Sequence, residues 1–314
     1  MEDWVAKRAA TLIEPRRLKQ LSARSDRHAL TQLATQLAAL GLTSAALASG
    51  IWWLAVPGFM AQGILLNCLY AGQHEMSHWT AFRSRRLNDW VGEAIGFLMI
   101  YPARWDRWFH FAHHRHTQDW DKDPELLVRG PYSFASWLFN MSAALYWYGR
   151  GRSTLRLASG IVPAYVWWLN DKQRGQVIGE ARWHVAGYAA ILALSMMAAS
   201  WVAVEFWLAP MLLMKWFHQL QNVGEHTCLT HEPDTLRNTR TLRGPAVMRW
   251  LVWNMSFHAA HHSFPGVPFH ALPELHEEIA RQVGPEMPGG GYLAVQVEIG
   301  RALSAAGERL EPVT

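Results

Sequence analysis

Residues 29–73 read ALTQLATQLAALGLTSAALASGIWWLAVPGFMAQGILLNCLYAGQ, without a single Asp, Glu, Lys or Arg. A helix needs about 20 apolar residues to cross a hydrocarbon core of about 30 Å, so the stretch has room for two crossings. Its break falls at Gly50–Gly58, GIWWLAVPG, where glycine, proline and two interfacial tryptophans coincide. The run therefore reads as a hairpin, out over about 30–50 and back over about 53–73.

Trp183–Met214 is interrupted by Glu205 alone. It is shorter, and suits two spans joined by a tight turn near Ser200–Glu205. All 29 Lys and Arg residues fall in 1–28, 82–182 or 215–314. By the positive-inside rule those segments face the cytoplasm and both hairpin tips point away from it. A soluble helical protein with two buried hairpins is the competing arrangement, and the mean hydropathy of −0.06 reflects long polar segments. So long a charge-free run is hard to house in a soluble fold.

The expected fold is thus all-α and integral to a membrane, with four transmembrane helices in two hairpins under a cytosolic helical cap. Residues 1–28 form a cytosolic N-terminal segment and 29–280 the membrane domain. Within it, hairpins span about 29–73 and 183–214, and the cap spans 74–182 and 215–280. A cytosolic tail, 281–314, follows. Both termini are cytoplasmic and the expected location is a bacterial inner membrane. Ser133–Gly149 and Gly160–Asn170 are apolar, aromatic and flanked by Arg, as in helices lying on the bilayer surface.

Composition agrees. Half of the residues are apolar and 17% are charged, against roughly a quarter in an average soluble protein. The net charge of +4 comes without any nucleic-acid-binding motif, so a membrane surface is the expected partner rather than nucleic acid. Cys68 and Cys228 lie far apart and form no disulfide framework. The first 27 residues lack the apolar core of a signal peptide.

The 16 histidines cluster in four places: His74-x3-His78, His110-x2-His113-His114, Asn222-x3-His226 and His258-x2-His261-His262. Spacings of three and four put side chains on one helical face. The first and third groups follow predicted spans directly. Nine clustered histidines exceed one zinc site, which takes four ligands, or three and a water. They suit two metals with four or five nitrogens each, and thiolate-free imidazole sites hold iron, zinc, copper or nickel. Lone histidines such as His28, His184, His231 and His276 read as surface or satisfied residues.

HEMSH at His74–His78 is literally the HExxH of a zinc metalloprotease, with Glu75 as its base. That reading lacks a third ligand, Glu93 being only a possible one, and leaves seven boxed histidines unexplained. A soluble carboxylate-bridged diiron bundle needs two ExxH motifs, and only Glu75-x-x-His78 fits. An ion-relay protein would carry its histidines in mid-bilayer, not at span ends.

The set HxxxH, HxxHH and HxxHH resembles the histidine boxes of the integral-membrane fatty acid desaturase superfamily. HFAHHRHTQDWDKDP, from His110, resembles the second box with its following T-x-D and DP. SFHAAHHSFPGVPFHALPELH, from Ser256, resembles the third. The resemblance runs from about residue 30 to 280. It implies a non-haem diiron centre that uses O₂ as co-substrate to introduce a double bond into a fatty acyl chain. The implied ligands are His74, His78, His110, His113, His114, His226, His258, His261 and His262, with Asn222 contacting iron through water. Two departures point to hydroxylation as the alternative outcome: Glu75 follows the first histidine, and NVGEH (222–226) is similar to an element of membrane alkane hydroxylases. Glu75 and Glu225 are expected to orient neighbouring imidazoles, and His116 to stay outside the ligand set. Trp79, Trp105, Trp108 and Trp253 are candidates to line an apolar substrate tunnel.

The sequence carries no haem-binding HPGG, CxxC module or GxGxxG loop, and MPGGGY at Met287–Tyr292 reads as a turn. Electrons must then come from an external carrier: a separate ferredoxin, rubredoxin or cytochrome b5-type donor with its reductase.

Overall fold

The computed structural model describes residues 11–284 and 287–308; the start of the expected N-terminal segment and parts of the expected tail lie outside them. The chain is almost entirely helical. Helix α1 (Asp26–Ala48) and helix α2 (Trp52–Ser77) form the first hairpin. Gly50, at φ 70°, reverses the chain between them, a left-handed conformation glycine adopts without steric cost. Helix α2 runs on past the expected span end, so the first histidine box is its last turn. Among the described residues, α2 is the one helix long and apolar enough to cross a membrane by that measure alone.

Helix α3 (Arg85–Leu98) begins the cap, capped by the Ser84 hydroxyl, which accepts the Leu87 N–H. Helix α4 (Ala103–His116) carries the second box. The expected surface segment 133–149 becomes two helices, α5 (Phe134–Met141) and α6 (Ala144–Ala158). The other, Gly160–Asn170, is not helical: it is a chain of turns after Gly160, with Pro163 inside it. Its apolar composition resembled a surface helix, but proline cannot donate in the ladder and apolar residues without a period define no face.

Helix α7 (Asp171–Met197) leads to the second hairpin and ends at Ala199, φ 46°. The return is broken. A π-helical turn at Val204–Leu208 precedes α8 (Ala209–Leu213), and Met214 separates that from α9 (Lys215–His226). The π-turn frees a carbonyl, and Gln62 of α2 takes it: Nε2 donates to Phe206 O at 3.0 Å and to Ser44 Oγ at 3.1 Å. One turn further, Asn67 Nδ2 donates to Met211 O at 2.8 Å. Between them Gly63 lets the backbones meet, since a Cβ there would lie 2.1 Å from Pro210 O.

Helix α10 (His258–Ser263) carries the third box, and α11 (Leu272–Val283) follows it. The MPGGGY segment is not merely a turn. Gly289–Gly291 forms strand β2, paired in parallel with β1 (Thr241–Arg243). A side chain at Gly289 would strike Thr241 O at 2.8 Å, so glycine permits the pairing. Helix α12 (Tyr292–Ala306), within the expected tail, buries Val295, Ile299 and Leu303 in a second small core with Val223 and Leu242.

Candidate metal centre

Four helices deliver the boxed histidines to one place. The end of α2 supplies His74, with His78 as its C-cap, α4 supplies His110, His113 and His114, α9 ends at His226, and α10 supplies His258, His261 and His262. Each group sits in or against the last turn of its helix or on a helix of under two turns, so the rings converge where four helix ends meet.

They sort into two groups. His74, His78, His110, His114 and His261 bring their ring nitrogens within 4.8 Å of one another, and so do His113, His226 and His262. His258 joins the second group, with Nε2 3.0 Å from His262 Nε2. Within the first, the Nε2 atoms of His110 and His114 lie 2.7 Å apart and those of His78 and His110 2.9 Å. His114 stacks on His262 at 4.0 Å between ring centroids, joining the two groups.

Imidazoles this close cannot all be cations. Burial, reinforced by neighbouring rings, pushes His110, His114, His258, His261 and His262 well below the usual imidazole range, and burial with the nearby Arg107 charge pushes His78 to about 3. Their lone pairs then face one another with few protein donors to meet them. His74 Nδ1 and Nε2, His226 Nε2 and the Nδ1 atoms of His114, His258 and His261 are buried without a hydrogen-bond partner. Buried polar atoms left in this way normally require a partner, and neutral imidazole is a ligand for transition metals. The donor set fits a pair of such ions.

Three neighbours hold the second group's tautomers. His113 Nδ1–H donates to Asp123 at 2.9 Å, and His226 Nδ1–H to the Asn238 carbonyl at 3.0 Å, leaving both Nε2 atoms for the site. Thr117 Oγ1 meets His262 Nδ1 at 3.1 Å. Burial alone would depress His113, but Asp123 and Glu125 outweigh it and raise the ring to about 9. The same carboxylate makes it a more basic ligand. Asp123 stands in the DP that follows the second box, yet only the fold shows which ring it holds.

Glu225 lies 3.6 Å from His258 Nδ1, takes a hydrogen bond from Gln221, and is pushed up to about 8 by burial. Glu75 acts one step further out: it accepts the Phe269 N–H at 3.0 Å, pinning the loop after the third box to α2. His116 stays outside both groups, beside Trp167 and Asp119.

A cavity of about 650 Å³ opens onto the rings of His74, His110, His113, His226 and His258. Trp105, Phe109, Tyr101 and Tyr146 line it, as does Asn222. Of the four tryptophans expected in a tunnel, Trp105 is the one placed there. Trp79 is held between Arg85 and Arg107, Trp108 packs edge-on against Phe111, and Trp253 is buried with its Nε1 donating to Gln36.

Buried imidazoles at the end of an apolar helix thus face an aromatic cavity. The family model described as fatty acid desaturase matches residues 51–289, and the chain belongs to that family. It is similar to the sn-1 oleoyl-lipid 12-desaturase of Anabaena variabilis, at 24% identity over 283 residues, covering 85% of this chain and 67% of that protein. The sn-1 oleoyl-lipid 12-desaturase of a Picosynechococcus strain is 25% identical over 260 residues, covering 76% and 73%. The fatty acid desaturase of Bacillus subtilis is 23% identical over 262 residues, covering 73% and 72%. The chain is therefore an oxidoreductase of lipid metabolism.

Proposed function

We propose that this protein is an O₂-dependent diiron oxidoreductase that introduces a double bond into a fatty acyl chain of a lipid. The observation that carries the reading is the pair of buried imidazole groups opening onto one aromatic cavity. His74, His78, His110, His114 and His261 would hold one iron, and His113, His226, His258 and His262 the other, with Asn222 reaching the second through water. Iron in this setting supplies the oxidising power to break an unactivated C–H bond with O₂. The chain's own contribution is placement. Trp105, Phe109 and Leu126 offer an acyl chain a dry wall, while Asp123, Asn238 and Thr117 fix the rings that face it.

In the membrane, α1 with α2 and the end of α7 with α8 form the two hairpins. The cap, both termini and the histidine centre lie on the cytoplasmic side of a bacterial inner membrane. An external ferredoxin, rubredoxin or cytochrome b5-type carrier delivers electrons there, and the basic cap favours an acidic one.

Membranes containing the protein, supplied with acyl lipid, a reductase system and O₂, should yield a product lighter by two hydrogens. A product heavier by one oxygen would make the enzyme a hydroxylase, the outcome to which Glu75 and Glu225 pointed. Metal analysis of protein grown with ample iron should find about two irons per chain; zinc alone would overturn the diiron assignment.

A further inference from the structure

The cavity has a second chemical character, away from the histidines. Arg150, on α6, lines it. Its guanidinium stacks over Tyr101 and lies 4.5 Å from the Tyr146 ring centroid. Lys215, at the start of α9, is fully buried on the same ring, its Nζ 4.1 Å from the Tyr146 centroid. The two side chains share one aromatic ring, and burial beside Arg150 holds the Lys215 amine well below the usual lysine range, so Arg150 carries the charge here.

The protein supplies little to balance that charge. Arg150 Nη1 is buried with no hydrogen-bond partner, and Lys215 Nζ meets only His218 Nδ1, at 3.0 Å. The nearby carboxylate, Asp106, feels the Arg150 charge, but its hydrogen bonds come from Tyr70 and Gln73, each at 3.1 Å, and from Tyr101. The other acids of the cavity stand on the metal side: Asp123 and Glu125 beside His113, and Glu225 beside His258. A guanidinium cannot shed its charge in a protein, and a buried charge without a partner is costly. Tyr70, 5.9 Å from Lys215 Nζ, stands edge-on to His74 at 6.3 Å, so this cationic corner and the metal site share one chamber.

We propose that Arg150, backed by Lys215 and walled by Tyr101 and Tyr146, seats an oxyanion carried by the acyl substrate: a fatty acid carboxylate or a phospholipid phosphate. The proposal rests on the acyl-chain reading above and narrows it to acidic acyl substrates. Arg150 binds the anion by charge-assisted hydrogen bonds, with Lys215 packed on the same Tyr146 ring.

The test is equilibrium binding to the iron-loaded protein in neutral detergent, using a long-chain free fatty acid, its methyl ester and an anionic diacyl phospholipid. The intact protein should bind an acidic ligand about tenfold more tightly than the ester, the difference one charge-assisted hydrogen bond makes. Arg150→Gln should erase that preference without changing ester affinity or iron content, and Arg150→Lys should restore part of it. Preference for the free acid assigns a carboxylate, and preference for the phospholipid assigns a phosphate. Equal affinity for acid, phospholipid and ester in the intact protein would overturn the anion seat, with no variant needed. A protein that takes up no iron when iron is supplied, yet still prefers the acid through Arg150, would overturn the diiron reading and leave the anion seat standing.

Discussion

Asp123 holds His113 by Nδ1 at 2.9 Å, both side chains buried, ten residues apart across the end of α4. The carboxylate fixes which nitrogen faces the site and how basic it is. Asp123→Asn keeps the shape but loses the charge, and outer partners of this kind typically contribute 10–100-fold in metal affinity. The variant should lose iron to a chelator at concentrations that leave the parent loaded; matching retention would show that Asp123 does not tune His113.

His261 reaches His114, 147 residues away in sequence, with Nε2 atoms 3.2 Å apart. His261→Ala should remove metal and turnover together, because the first group then loses a nitrogen that no neighbour replaces. Full metal content by elemental analysis would exclude His261 as a ligand.

Glu75→Gln should fold and turn over close to the parent, since the amide oxygen can still accept the Phe269 N–H. Glu75→Ala strands that buried donor and should cost about 1–3 kcal/mol by denaturant unfolding while some turnover persists. A general base in a protease would show near-total loss in both variants.

Asp106 gives a pH signature away from the ligands. Burial holds its carboxyl up at about 6, against the opposing pull of Arg150 and the hydrogen bonds from Tyr70 and Gln73. The folded chain therefore keeps this proton over a range in which the unfolded chain, titrating near 3.8, has lost it. The contribution to stability is fully present below the unfolded value and is lost as pH rises to about 6, an effect on the order of 3 kcal/mol. Asp106→Asn does not titrate, so the parent's stability relative to the variant should fall as pH is raised from about 4 to about 7. A constant difference across that window would show that Asp106 is ionised throughout.

Gly63→Ala tests the seam between the hairpins. Its methyl would meet Pro210 O and the Met214 side chain at 2.1 and 2.7 Å. Overpacking of this kind typically costs about 1–3 kcal/mol, so the detergent-solubilised variant should unfold earlier than the parent. Gly41→Ala, in open space on α1, is the control and should be neutral or slightly stabilising.

The histidine boxes were legible because a helix repeats every three to four residues, so spacing alone puts imidazoles on one face. The first hairpin was legible because a charge-free run announces itself. What holds the rings was less so: Asp123 lies beyond a helix end, and Asn238 acts through its backbone carbonyl, which no side chain encodes. Gly160–Asn170 misled because apolar composition without a period suits a turn-rich segment as well as a helix. Glycine at 289–291 marked a turn in sequence, but its lack of a Cβ served a parallel strand pairing instead. Arg150 is one of the arginines flanking the apolar segment 133–149, and only packing turned it inward.

Because α2 is at once the apolar helix and the bearer of His74 and His78, one rod carries both the hydrophobic stretch and the first two histidines of the site. The rod is synthesised early, and its partners on α10 emerge from the ribosome nearly last. Through most of translation His74 and His78 are without the histidines that will face them. On the diiron proposal metal uptake is then a late event, and a chain truncated before α10 would lack His258, His261 and His262 and leave both groups incomplete.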